Sequence, residues 1–495
     1  MPIGRLFLLK PDGIAKLGTP TIFIVVVYKS ASIFCNGLFI NSPILGGNKT
    51  KNKMNKYKLV CGLEIHAELK TNSKMFCGCK NDPFGAKKPN TYTCPVCLGL
   101  PGALPVANKK AIEWTIKVGL ALGCKINLFS KFDRKNYFYP DLPKAYQISQ
   151  YDLPFCYDGV VETSFGPVGI TRIHLEEDTG KLLHKKIDGK QVSLIDFNRS
   201  SVPLMEIVTE PDIHSPEQAK EYAKEIRKIL KYLDVADCDM DQGGMRLEAN
   251  TSLRSEGQKE LPKYKVEVKN INSFKFMEQA IEYEIDRQTE ILDKGEIPAQ
   301  ETRGWNSIKS ITFSQRTKED SEDYRYFPDP DLPPIRYSRE SIETMRAELP
   351  ELPAQKSERW NTEYGVEKRY SKQLISHEIF SNLLEESFKI CQLENIEPNK
   401  LASTIVNKNI IISHETIASK IVDEFKKLSQ TDEVSDDEII SAIKEVILQN
   451  NDAVIKFKSG DTKVIGFFIG QTMRKLGKKI NNRKLGELLI NELKK

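Results

Sequence analysis

Lys58-Leu-Val-Cys-Gly-Leu-Glu-Ile-His66 begins the first well-patterned stretch of the chain, and from Leu63 onward it alternates apolar with ionisable side chains. A period of two is the mark of a strand with one buried face. Extended to Glu68, the pattern sets Glu64, His66 and Glu68 on one face and turns Ile65 and Ala67 to the other. Taken alone, such a face reads more simply as solvated. Two more segments shift the weighing. Ile173-His-Leu-Glu-Glu-Asp178 and Pro203-Leu-Met-Glu-Ile-Val-Thr-Glu-Pro-Asp212 each set carboxylates within or at the end of an apolar strand, where uncompensated charge is costly.

Outward from these strands the pattern is mixed. Val168 to His174, Val192 to Phe197, Leu204 to Val208, Met245 to Ser252 and Tyr264 to Val268 read as strands, with turns between them and no regular βαβ alternation. The fold class expected is α+β, with a mostly antiparallel sheet. Helices should start at Ser215-Pro216, where Pro follows a capping Ser, and near Ser273. After the Pro-rich stretch Phe327 to Pro334 and the turn Leu349 to Pro353 the chain turns helical, with a 3.6-residue period around Ser371 to Leu393 and Asn399 to Val406. The divisions expected are an extension 1–56, a catalytic domain 57–345, a helical domain 346–412 and a tail domain 413–495.

At 495 residues the chain is too long for one core. With 40% hydrophobic and 28% charged residues it reads as soluble and globular, with no membrane association. The net charge of +5 means that nucleic acid must be met by a local patch. Val454 to Lys495 holds eleven Lys or Arg against three acids, which suits a phosphate-binding face and equally a solvated helical surface. Residues 1–53 hold a single acid, Asp12. They read as an over-extended start before Met54 or as a transit peptide, so the expected location is cytoplasmic, with an organelle stroma or matrix as the alternative.

Carboxylates converging from several strands need cations, and hard oxygen ligands with one imidazole suit Mg²⁺ carrying nucleotide phosphates. An ATP site follows, without a P-loop or Rossmann turn anywhere in the chain. Positive groups must then hold the phosphates: Arg134, Lys135 and Lys144 in the aromatic-rich run Lys131 to Lys144, with Arg172, Lys181 and Arg199 beyond it. The bland reading of that run is an exposed loop with an aromatic anchor. Cys77-x-Cys79, fourteen residues, then Cys94-x-x-Cys97 is the spacing of two thiolate knuckles closing one tetrahedral Zn²⁺ site; free thiols are the alternative. Four sulfurs leave no open position, so the zinc would be structural.

Gly62 to Leu69, Lys131 to Gln150, His174 to Lys181, Asp196-Phe-Asn-Arg199, Pro203 to Asp212, Lys269 to Phe274, Asp323-Tyr-Arg-Tyr-Phe-Pro328 and Gly466 to Met473 closely resemble the B subunit of the tRNA-dependent amidotransferases, the GatB/GatE family. The resemblance runs from about Tyr57 to Lys495. It implies a cradle related to glutamine synthetase, then a helical domain and a tail that grips tRNA. It also implies a heterotrimer with an amidase, the A subunit, and a small third protein, the C subunit. This chain would use ATP and Mg²⁺ to phosphorylate the side chain of mischarged Glu-tRNA(Gln) or Asp-tRNA(Asn), and the amidase would supply ammonia from glutamine. On that reading Glu64, His66, Glu176, Glu177, Glu206 and Glu210 serve the Mg²⁺ and ammonia path, and Arg134, Lys135, Lys181 and Arg199 assist the nucleotide. The remaining classes are a tRNA- or amidase-docking scaffold without chemistry, and a free-standing ligase for a small amino acid.

Overall fold

The computed structural model describes residues 56–317, 324–410, 412, 416–429, 434–478 and 480–494, together with the two-residue strand Val25–Val26. The two readings of residues 1–53 otherwise fall outside the described residues. The chain divides into two compact units, Met1–Lys356 with Ile375–Glu378, and Ser357–Leu374 with Ile379–Lys495.

A nine-stranded sheet organises the first unit. Its strands in chain order are β1 (Tyr57–Glu68), β2 (Lys125–Ile126), β3 (Cys156–Thr163), β4 (Gly166–Glu177), β5 (Pro203–Thr209), β6 (Met245–Ser255), β7 (Val266–Ile271), β8 (Glu301–Asn306) and β9 (Ile311–Thr317). In space they run β9-β8-β7-β6-β1-β5-β4-β3-β2. Every pairing is antiparallel except β7 with β8. The expected α+β class with a mostly antiparallel sheet is thus what the chain adopts. The stretch Lys58 to His66 lies in the middle of the sheet, between β5 and β6.

Register explains the two faces. Ile65 pairs with Ile207 and Leu247, and Ile207 with Ile173, while Ala67 pairs with Met205 and Met245. All of these are 1% exposed or less. Helices α1 (Lys109–Ala121), α2 (Pro216–Tyr232) and α3 (Phe274–Asp293) pack against the sheet and bury their own apolar stripes, among them Ile116, Tyr222, Ile226 and Met277. The Ser215 hydroxyl accepts from the Gln218 amide with Pro216 at the first helical position, and Ser273 accepts from the Phe276 amide, as the capping signals predict.

Three smaller pieces sit outside the large sheet among the described residues, one of them the short pairing of Phe129–Ser130 with Ile335–Arg336. Lys181–Ile187 and Lys190–Asp196 form a hairpin, so the expected strand near Val192 exists without joining the main sheet. Asp133–Asn136 pairs on one side with Tyr146–Ser149 and on the other with Phe327–Pro328. The run Lys131 to Lys144 is therefore part strand rather than all loop.

In the second unit the expected continuous helix from Ser371 is broken, giving Lys368–Leu374 and Glu378–Leu393. The break falls at Ser376-His377, two residues of low helix propensity, with Ile375 buried before them. Pro398–Val406 and Ala418–Ser429 follow. Helices Asp436–Gln449, Asn451–Lys458, Val464–Leu476 and Asn482–Leu493 close around Val434, Ile439, Ile443, Phe468, Leu485 and Leu489. Among the described residues no helix is long and apolar enough to cross a membrane.

Candidate active site

The sheet face opposite the buried apolar one carries the chemistry. Antiparallel register sets Arg246, His66, Glu206 and His174 side by side on β6, β1, β5 and β4. Glu206 Oε2 lies 3.4 Å from His66 Nε2 and 3.1 Å from His174 Nε2, and His174 Nε2 lies 3.8 Å from Glu176 Oε2. One ligand atom each from His66, Glu176 and Glu206 falls within 4.8 Å of the others, a spacing that fits a single cation. Both Nδ1 atoms of the two imidazoles are buried without a partner.

Electrostatics binds this cluster together. Burial opposes charging His66, but Glu206 beside it, with Glu248 and Glu176, outweighs burial and lifts the imidazole to about 9. Burial likewise penalises the Glu206 carboxylate, yet His174 and His66 hold it well below the usual range. Glu176 is lowered too, its burial overcome by Lys135 and His174. Lys135 comes from Asp133–Asn136, the middle strand of the small sheet, and its ammonium lies 5.0 Å from the Tyr324 ring. Ser149, from the neighbouring strand, donates to Glu176 at 2.9 Å. The small sheet thus approaches the carboxylate face with a lysine and a hydroxyl.

A second group stands one row along. Glu64, Glu248 and Glu267 present ligand atoms within 4.8 Å of one another. Asn250 donates to Glu64 at 2.8 Å, and the Lys269 ammonium lies 2.9 Å from Glu248 and 3.3 Å from Glu267. Burial pushes the Glu64 carboxyl up, and Glu206 and Glu248 add to that. At the far end of β1, Glu68 is raised by burial and by Asp178, whose own carboxylate stays low, against its burial, because Arg246 and Arg199 attend it.

The remaining sequence candidates lie elsewhere. Glu177 is turned away from the His66 cluster, where Lys144 pairs with it at 2.7 Å and the Ile148 amide donates to it at 3.0 Å. Glu210 is exposed beyond the β5 irregularity and accepts from Thr171 at 2.7 Å. Arg134 is engaged by Asp329 at 2.7 Å and Asp331 at 3.0 Å and stacks over Tyr146. Arg199 donates to the carbonyls of Thr179 and Gly180. Lys181 is exposed at the start of the hairpin. Sequence reasoning left out His174, Glu248, Glu267 and Lys269. For His174, Glu248 and Glu267 the signal was present, because each belongs to a segment already read as a strand, on the same parity as neighbouring ionisable groups, whereas Lys269 falls just past the expected strand Tyr264 to Val268.

The four cysteines Cys77, Cys79, Cys94 and Cys97 converge, their sulfurs within 4.8 Å of one another. Cys94 and Cys97 sulfurs stand 3.8 Å apart, close to the roughly 3.8 Å edge of a tetrahedron with Zn–S bonds of about 2.3 Å. The Cys94 amide points at Cys97 Sγ at 3.1 Å, and Gly99 takes the left-handed φ of +63° that turns the knuckle. Lys74, completely buried, ties the cluster inward by donating to the Tyr92 carbonyl at 2.7 Å and the Phe197 carbonyl at 3.3 Å. The donor set and its spacing fit zinc.

Fold and site together define a class of protein that gathers carboxylates and imidazoles on one face of an antiparallel sheet. The family model described as the GatB/GatE catalytic domain matches residues 59–343, and one described as the GatB domain matches residues 365–493. Similar proteins include the B subunit of the aspartyl/glutamyl-tRNA(Asn/Gln) amidotransferase of Thermodesulfovibrio yellowstonii, 45% identical over 482 residues that cover 89% of this chain and 100% of that protein. The protein of the same description in Thermoanaerobacter sp. (strain X514) is 44% identical, with the same coverage, and that of Dehalococcoides mccartyi is 42% identical over 89% of this chain and 99% of its own. The chain belongs to the GatB/GatE family of amidotransferase subunits, and the expectation of an amidotransferase ligase is met at that level.

Proposed function

We propose that the chain activates the side-chain carboxylate of mischarged Glu-tRNA(Gln), Asp-tRNA(Asn) or both with ATP, and amidates it with ammonia from a partner glutaminase. The observation that carries this is the convergence of His66, Glu176 and Glu206 under Lys135. A carboxylate is a poor acyl donor because its leaving group would be oxide. Attack of one carboxylate oxygen on the γ-phosphorus breaks the bond to ADP and forms an acyl phosphate. Ammonia then attacks the carbonyl carbon, inorganic phosphate leaves, and one ammonia proton must be taken up.

The residues suit these steps. Mg²⁺ held by His66, Glu176 and Glu206, and a second at Glu64, Glu248 and Glu267, would neutralise phosphate charge. Lys135 supplies a positive charge that Glu176 and Glu206 feel. Positioning and charge neutralisation do most of the work in such transfers. The four cysteines would hold structural Zn²⁺.

The division of labour follows the sequence expectation: a cradle over 57–345, a helical domain over 346–412 and a tRNA-gripping tail over 413–495, in a heterotrimer with the amidase and the small third protein. Co-purification with a candidate amidase, then ATP-dependent transamidation of both mischarged tRNAs, tests the reading. Formation of amide with stoichiometric ADP is expected. A complex that amidates neither tRNA contradicts it.

A further inference from the structure

The acids Glu64, Glu248 and Glu267 come from three neighbouring strands, and side chains of the sheet itself hold each carboxylate. Asn250 holds Glu64, and Lys269 spans Glu248 and Glu267. Glu267 has a further partner, the Thr302 hydroxyl, which donates to its Oε2 at 2.8 Å. Thr302 stands directly across from Glu267 on β8, in the sole parallel pairing of the large sheet among the described residues.

What fixes the height of β8 lies on the other face. Glu284 of α3 is completely buried. It accepts from Arg287 at 2.8 Å, from Gln288 at 2.9 Å and from Thr312 on β9, and the Arg303 guanidinium lies 3.2 Å away. Arg303 in turn reaches Glu301 at 2.7 Å and the Thr312 hydroxyl at 2.8 Å. Gln288 carries the network to Thr251 of β6 at 3.2 Å, and Tyr264, just ahead of β7, donates to Gln288 at 3.0 Å. Two carboxylates thus face two guanidiniums with both oxygens of Glu284 satisfied, the condition under which a buried ionic network rigidifies its surroundings. It ties β6, β7, β8 and β9 to one helix.

Alternation along β8 turns Arg303 to that network and Thr302 to the acids. Between these two residues the partner in β9 jumps from Arg316 to Ser314, leaving Gln315 outside the pairing. A bulge of this kind bends a strand and re-aims the side chains beside it. Thr302 therefore sits where a rigid scaffold ends and a carboxylate is aimed.

The two partners of Glu267 respond differently to an arriving cation. The Lys269 ammonium is itself a cation on a partly exposed side chain, so a divalent ion among the three acids repels it. Thr302 is neutral. Its hydroxyl can keep Oε2 engaged while the carboxylate binds metal, as ligating carboxylates are in general hydrogen-bonded by an outer group.

We propose that Thr302 is a positioning residue for the second cation, holding Glu267 in the orientation that closes the site with Glu64 and Glu248. The inference rests on the two-cation reading given above.

The test uses the full chain in its complex with a non-hydrolysable ATP analogue present. Mn²⁺ is the probe, and its binding is followed by loss of the free-ion paramagnetic resonance signal. Glu206→Gln and Glu248→Gln assign the two ions to their groups. Thr302→Val keeps the β-branched shape and removes the hydroxyl, whereas Thr302→Ser keeps the hydroxyl and removes the methyl group. Thr302→Val should weaken the ion at Glu64, Glu248 and Glu267 about 10- to 100-fold, the usual cost of losing an outer hydrogen bond to a metal ligand. The ion at His66, Glu176 and Glu206 should keep its parental affinity, and Thr302→Ser should recover most of the loss. Parental affinity for both ions in Thr302→Val overturns the role of Thr302 and leaves the two-cation reading intact. Equal weakening of both ions, or no recovery in Thr302→Ser, assigns the effect to the strand as a whole and overturns it as well. A parent complex that holds fewer than two ions contradicts the two-cation reading itself, and the role of Thr302 with it.

Discussion

Glu206 lies between two imidazoles, and no other carboxylate in the His66 cluster touches both. Glu206→Gln keeps the shape and removes the charge that both rings use. A loss of about 10² to 10³ in the rate of acyl phosphate formation is expected, the size typical of one removed metal ligand or electrostatic contact. Glu64→Gln should do the same through the neighbouring group. Glu210→Gln is the contrast, being exposed and bonded by Thr171. Its cost in rate should be at least about tenfold smaller, with stability within about 0.5 kcal/mol of the parent. The sign of a pH effect follows from His66. Its cation-free pKa of about 9 lies above the ordinary imidazole value, so at neutral pH the ring carries a proton that a metal must displace. Mg²⁺ affinity should therefore rise with pH, about tenfold per unit, and level off above about pH 9. Calorimetry in buffers of different ionisation enthalpy would register the released proton; affinity that is flat from pH 7 upward would speak against His66 as a ligand.

At the scale of elements, the central strand was legible because its period of two is unbroken: Leu63, Ile65 and Ala67 are fully buried and Glu64, His66 and Glu68 only half-buried. Caps at Ser215 and Ser273 were legible for the same local reason. The site was only half legible. Parity along one strand tells which residues share a face, but register between strands decides which faces meet, and nothing local reveals that Glu248 pairs with Glu64 or that Glu177 turns to Lys144. The acidic partners of Arg134, Asp329 and Asp331, were not legible either, since they lie almost two hundred residues away. The cysteine knuckles are the reverse case, since close spacing nearly fixes their convergence. Cys94→Ser should remove the bound zinc and lower stability without selectively abolishing phosphorylation. Unchanged zinc content in that variant, measured by metal analysis, would exclude the site.

Across the whole molecule the charge distribution matters more than the net value. The last four helices close on their own apolar cluster from Val434 to Leu493, within the proposed tail of 413–495. Their lysines and arginines are largely exposed, among them Lys456, Lys458, Lys463, Arg474 and Arg483. Deletion from Val434 onward should weaken tRNA binding and leave nucleotide binding in the sheet unit unchanged. The dependence of affinity on salt should flatten as well, by about 0.7 to 0.9 in logarithmic slope for each phosphate that the shortened chain no longer neutralises. Equal slopes in the two proteins would remove the tail from the interface. The central claim, that the His66, Glu176 and Glu206 face activates the aminoacyl carboxylate, is tested most directly by one assay on the reconstituted complex. Mischarged tRNA, ATP and ammonium are supplied, which bypasses the glutaminase, and ADP release is followed together with amide formation in the parent and in Glu206→Gln. The account predicts that both products fall together by about 10² or more; near-parental turnover in the variant would contradict it.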